Sequence, residues 1–265
     1  MRYFRIFLLN FQQAFELREM SFVWLLLSII NPLIILAYWF GVYNSQGIAI
    51  ADWSLSDVSA YYFLLIIAGA MLVAHIEFDT AVRDIQEGGL VTFLLRPFSY
   101  FWQRFLGEIA WRIIQGSMAI IVFVCLLFFF GKFVTFSSDP RVLFLAIIVT
   151  ALGFLISFTF KMILGLSAFW LTDFHGLQNI VEIAILVFAG FVMPLQFLPP
   201  ALFVLAKFLP FAYFVYYPVI AFQGQLNVLE LLQVITIQIG WIFGLTLLYR
   251  FMWKKGLQRF TGVGQ

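Results

Sequence analysis

The sequence predicts an all-α integral membrane protein of six transmembrane helices, with an N-terminal interfacial amphipathic helix and outer re-entrant helices before the sixth span. Three observations predict it. Of 265 residues, 64% are hydrophobic and 11% charged, and the mean hydropathy is +1.03; soluble globular domains do not have this balance. The apolar residues fall in runs near 20 residues, the length a helix rising ~1.5 Å per residue needs to cross ~30 Å of hydrocarbon. The basic residues collect in the connections and divide unevenly between the two sides.

Residues 1–20 set Phe4, Phe7, Leu8, Phe11 and Phe15 at helical spacing against Arg2, Arg5, Gln12, Glu16 and Glu19. This is the pattern of a helix lying in the interface; the charge it carries disfavours the alternative, an early extension of the first span. Glu16, Arg18 and Glu19 also interrupt any cleavable signal. The first span is read from Phe22 to Val42, with Asn31-Pro32 expected to kink it. The second runs from Val58 to His75, and the third from Ile109 to Phe130, ending at Gly131-Lys132. The fourth, from Val142 to Leu171, would measure about 45 Å and so has to tilt, break or project. A short fifth, Leu177 to Met193, and a sixth, Val228 to Tyr249, complete the set.

Residues 194–218 hold five of the eight prolines. Lys207 and Pro210 interrupt Ala201 to Tyr217, so this stretch is expected to form a re-entrant pair of short helices covered by other protein. The basic residues support that choice. One side holds Arg2, Arg5, Arg18, Arg83, Arg96, Arg104, Arg112, Arg250, Lys254, Lys255 and Arg259, and the other Lys132, Arg141 and Lys207. The positive-inside rule puts both termini in the cytoplasm, and an extra crossing would invert the carboxyl terminus against it. The whole chain, 1–265, is read as one transmembrane domain with no soluble domain attached.

Enzyme signals are lacking. With His75 and His175 as its two histidines, the chain has no HExxH, no G-x-S-x-G and no phosphate-binding G-x-x-x-x-G-K-S/T loop. A metal site at His75, Glu77 and Asp79 or at Asp173 and His175 has little ligand spacing behind it, since polar residues at span ends are ordinarily solvated. The lone Cys125 lies in an apolar run and supports neither a disulfide nor a thiolate metal site.

The segment 77–100, EFDTAVRDIQEGGLVTFLLRPFSY, carries more information. Asp79 with Arg83, and Arg83 with Glu87, stand four apart, as on a short surface helix closed by Gly88-Gly89. Leu90 to Leu95 is apolar but too short to cross, and Arg96-Pro97 stops it. A polar helix followed by a greasy in-plane segment suits a docking element at the cytoplasmic surface; an ordinary solvated loop would account for the spacing equally well.

Ile85-Gln86-Glu87-Gly88-Gly89-Leu90 followed by Leu94-Leu95-Arg96-Pro97-Phe98-Ser99 resembles the "I-x-x-G-x-L … L-L-x-P-x-S" signature of ABC-type-2 (ATP-binding-cassette, type 2 exporter) permeases, in particular their branch of small six-span subunits. Phe188 to Leu202 resembles the family's "SG…P…FP" element, with Ala189-Gly190 where Ser-Gly is common. The resemblance implies a permease subunit in the bacterial inner membrane. It would pair with a second permease subunit, the same or different, and be powered by separate ABC ATPase subunits. ATP and magnesium would then bind the partner and no cofactor this chain; nucleic acid is not an expected partner. It also implies that Arg83, Asp84, Glu87, Gly88 and Gly89 lie at or near the ATPase contact, with Arg96-Pro97 marking the return to the third span. A non-transporting membrane anchor or sensor for an ATPase is the alternative, and a self-sufficient membrane enzyme a more distant one.

The remaining polar residues have structural readings. Glu108 stands four from both Arg104 and Arg112, a charge ladder at the start of the third span. Lys161 and Glu182 are expected at similar depth near the cytoplasmic interface, where they form an intramembrane ion pair in preference to a substrate or proton site. Gly240 and Gly244 form a G-x-x-x-G expected to be a helix-packing face.

Overall fold

The computed structural model describes residues 2–46, 53–131 and 136–261, so Lys132 lies outside the described residues. Among these, ten α-helices form and no β-strand. The helices begin where side chains can satisfy free backbone donors. Ser54 and Asp57 make a reciprocal capping box at the start of α3 (Leu55–Leu72), as do Asn227 and Glu230 at the start of α10 (Val228–Leu257). Asp139 caps α6 (Pro140–Leu166), with proline in its first turn, and Asp173 caps α7 (Phe174–Phe188).

Among the described residues, four helices are long and apolar enough to cross a bilayer: α3, α5 (Tyr100–Phe130), α6 with its 3₁₀ extension to Phe169, and α10. The chain is therefore a multi-pass membrane protein. Helix α2 (Arg18–Gln46) runs unbroken through Pro32 and contains the apolar stretch Ile29–Asn44. Helix α7, with 15 residues, is about 22 Å long, shorter than the hydrocarbon is thick. The expected fourth span keeps most of its length, 27 α-helical residues or about 40 Å, so it tilts or projects beyond the hydrocarbon. Its α-helical bonding ends at Leu166, a 3₁₀ turn covers Ser167–Phe169, and Asp173 starts the next helix.

Helix α3 is the central element, with 67% of its apolar window enclosed by protein, whereas α10, at 22%, lies on the rim and packs chiefly on α6. Polar ties hold this packing in register. Buried Gln238 of α10 donates to the carbonyl of Val149 on α6 at 2.9 Å and to that of Tyr213 at 3.3 Å. The Trp39 indole of α2 donates to the Tyr62 hydroxyl of α3 at 3.0 Å, and Tyr62 donates to the Val192 carbonyl at 2.8 Å. Such bonds in an apolar surround fix one helix pairing where dispersion alone would allow several.

Helix α1 (Arg2–Glu16) lies along α5, with Ala14 fully buried and Asn10 against Gly107. Phe4, Leu8, Leu9 and Phe15 remain exposed on its other flank. This marks one end of the bundle, hereafter the α1 end. It also holds the chain between α3 and α5, the α6–α7 connection and the end of α10. At the other end, the proline-rich stretch forms two short helices, α8 (Pro200–Phe208) and α9 (Tyr216–Gln223), joined through a 3₁₀ turn, Pro210–Tyr213. Nine and eight residues are too few to cross.

Candidate functional site

Glu77 to Tyr100 leaves α3 at the α1 end and folds into two short elements. The first is a π-helix, Asp79–Gln86. Its wide turns continue into Glu87, whose N–H donates to the Val82 carbonyl at 2.9 Å, and Gly89, whose N–H donates to that of Arg83 at 3.1 Å. Gly88 closes it at φ +81°, a conformation that costs glycine least. A Cβ on Gly89 would stand 2.6 Å from the Arg83 carbonyl oxygen. The Gly-Gly pair thus turns the chain into α4 (Leu90–Leu94), the second element, which buries Leu90 and exposes Val91, Leu94 and Leu95.

The π-helix can dock closely because α6 presents no side chain at Gly165. A Cβ there would lie 2.6 Å from Thr80 Cβ and 2.9 Å from the Glu77 carbonyl oxygen. Thr80, Ala81, Asp84 and Ile85 point inward, while Arg83 and Glu87 are exposed. Arg83 pairs with Asp79 at 2.9 Å; among the described ion pairs it has none with Glu87.

Two ionic groups anchor the segment to the spans behind it, and a third ties the chain just after α3 to α5. In the first, Lys161 of α6, fully buried, donates from Nζ to Glu77 Oε1 at 2.8 Å and also to Glu182 Oε1 of α7. Burial pushes the Glu77 carboxyl above its ordinary range against the pull of Lys161. In the second, Asp84 accepts from the Tyr100 hydroxyl and from Arg104, whose Nε lies at 2.9 Å. In the third, buried Arg112 donates to Glu108 Oε1 at 2.8 Å, to the Ala70 carbonyl at 3.0 Å and to Gln115 at 2.7 Å, and meets His75 Nδ1 at 2.9 Å. His75 returns its backbone N–H to Glu108 at 3.1 Å. The ladder expected at Glu108 is therefore half formed: Arg112 joins it, while Arg104 turns to Asp84.

Of the residues expected at a partner contact, Arg83, Glu87, Arg96 and Pro97 are exposed and Gly88 and Gly89 half-buried. Asp84 is buried and faces the chain's own α5, so it anchors the segment and offers nothing to a soluble partner. Lys161 and Glu182 do meet. Sequence reasoning missed their third member, Glu77, by treating it as a solvated span end; the apolar Val73-Ala74 and Ile76 around His75 were the signal that the chain stays buried past α3. The packing expectation for Gly240 and Gly244 does not hold within this chain, because both are exposed on α10 with nothing within 4 Å of a Cβ. No group of three or more metal-ligating side chains occurs among the described residues.

The site is a charged, exposed elbow fixed by salt bridges to α5 and α6 and, through Lys161 and Gln178, to α7. Close-packed glycine contacts and paired charges therefore hold the elbow against the helix ends behind it. A family model described as ABC-2 family transporter protein matches residues 20–264. No curated protein and no solved structure matches the chain.

Proposed function

The chain belongs to the ABC-2 family of transporter proteins, and from that premise we propose that it is the permease subunit of an ATP-binding-cassette exporter. In this reading α2 and α7 join the four long helices as the first and fifth of six spans. Helix α1 lies in the interface, 194–218 is re-entrant on the outer side, and both termini face the cytoplasm of a bacterial inner membrane. A second permease subunit completes the path, and separate ATPase subunits bind ATP and magnesium and hydrolyse the nucleotide.

The observation that carries the proposal is the elbow at 77–100, with Arg83, Glu87 and Arg96 exposed and its inner face tied to α5, α6 and α7. ATP-driven approach of two ATPases would push on this elbow as a rigid body. Asp84–Arg104 would pass the displacement to α5, and Glu77–Lys161–Glu182 to α6 and α7, so the spans shift relative to α3. In this mechanism the chain's residues dock and transmit and do no bond chemistry.

The test is co-expression with an ABC ATPase from the same genome, followed by affinity purification of this chain in detergent and reconstitution in vesicles. The proposal expects the ATPase to co-purify and its hydrolysis rate to change on reconstitution. An ATPase that never binds the wild-type chain overturns it.

A further inference from the structure

Some cations of this chain are paired and others, including Arg5, Arg18, Arg96 and Lys207, are exposed and meet no carboxylate among the described residues. Arg83, Arg104, Arg112, Arg141 and Lys161 each meet a carboxylate within 4.0 Å. At the α1 end of α10, Arg250, Lys254, Lys255 and Arg259 are all exposed and meet none among the described residues. Directly before them on the same helix, Leu247, Leu248 and Phe251 are exposed at 50, 44 and 61%. Phe251 stands three and four residues from Lys254 and Lys255 and four from Leu247, so these side chains stack as successive rungs of one face. That face is turned away from α6, against which α10 packs through the buried Leu231, Val234, Gln238, Leu245 and Tyr249.

We infer that this face binds an anionic phospholipid of the inner leaflet, the phosphate lying against Lys254 and Lys255 and an acyl chain against Phe251 and Leu247. The positive-inside rule accounts for the sign of the cluster; it does not require unpaired cations to stand in register over lipid-height apolar rungs. Helix geometry matches the ligand. Leu247 to Lys255 spans about 12 Å along the axis, enough for a headgroup and the upper half of an acyl chain. A second copy of the chain is the rival occupant, because Gly240 and Gly244 lie open on α10 as well. Two copies share one orientation in the membrane, so pairing them along this face would set Lys254 and Lys255 of each against the same residues of the other, a repulsion that an anionic headgroup removes. The inference rests on the proposed topology, with this end of the bundle toward the cytoplasm, and is otherwise independent of the permease reading.

The test uses the purified full chain in zwitterionic detergent with equimolar phosphatidylglycerol and phosphatidylcholine of matched acyl chains, bound lipid being counted by mass spectrometry. With a contribution on the order of fivefold per lysine, the wild type should retain phosphatidylglycerol over phosphatidylcholine by at least about tenfold. Lys254→Gln with Lys255→Gln should bring the ratio near one, Lys254→Arg with Lys255→Arg should keep it, and Arg5→Gln on α1 should leave it unchanged. Excess inorganic phosphate should not displace the lipid. A wild type without preference, a Gln variant that keeps it, or displacement by free phosphate overturns the inference. So does efficient disulfide cross-linking between copies through Gly244→Cys in a Cys125→Ser background, which would show the face covered by protein.

Discussion

Replacing Lys161 by methionine removes the one cation that Glu77 and Glu182 share. Lys161 is fully enclosed and Glu77 is 2% exposed, so the Glu77 carboxylate is left in the interior with Gln178 at 3.4 Å on one oxygen and no partner on the other. Stranding one member of a buried ion pair costs about 3–5 kcal/mol. Glu182, with 40% of its side chain exposed, turns to water and adds little. At about 2–4 °C per kcal/mol for a chain of this size, thermal unfolding in detergent, followed by tryptophan fluorescence, should fall by about 6–20 °C. Adding Glu77→Gln removes the stranded charge and should recover most of the loss, because cost arises from the unpaired carboxylate and not from the missing ammonium. A single variant as stable as wild type, or a double variant as unstable as the single, refutes this account of the anchor.

Gly165→Val should destabilise the chain by about 1–3 kcal/mol, the cost of forcing a side chain between Thr80 and the Glu77 backbone, and should uncouple the partner's ATPase rate from the spans while leaving ATPase binding intact. Asp84→Asn, which leaves Arg104 half-paired, should lower the unfolding temperature and loosen residues 77–100, seen as faster amide exchange there. The Asp79 carboxyl is raised above its usual range by burial, which outweighs Arg83 and Arg104. The folded chain therefore holds that proton more tightly than the unfolded one; this contribution to stability is complete below the ordinary aspartate pKa and is lost as pH rises through the raised value. Asp79→Asn should remove that part of the pH dependence, measured as unfolding temperature against pH.

Much of the architecture was legible because lipid imposes a simple rule: a span must be about 20 apolar residues with its backbone bonded within itself. Hence α3, α5, α6 and α10 lie close to their expected places, and the stretch interrupted by Lys207 and Pro210 forms short helices. The bonding pattern of residues 79–86 was not legible. Their four-residue charge spacing reads as α-helix, but docking against Gly165 and closure by Gly88 favour a π-helix, in which Arg83 keeps Asp79 and loses Glu87. Ionic partners were half legible for a related reason. Lys161 and Glu182 stand out inside apolar runs, whereas Glu77 and Asp84 lie in a segment whose charge reads as belonging to the surface until the fold buries it. Gly240 and Gly244 show the converse, since a small-residue spacing states that close packing is sterically open and says nothing of what fills it.

The central claim, that the elbow at 77–100 is where an ATPase grips this chain, is tested most directly by position-specific cross-linking. In a Cys125→Ser background, a single cysteine carrying a photoreactive group replaces Glu87, and in a second variant Val204 on α8, which is 53% exposed at the other end of the bundle. With the co-expressed ATPase present, position 87 should yield the permease–ATPase adduct and position 204 should not. An ATPase that co-purifies yet cross-links at 204 and not at 87 would contradict the account.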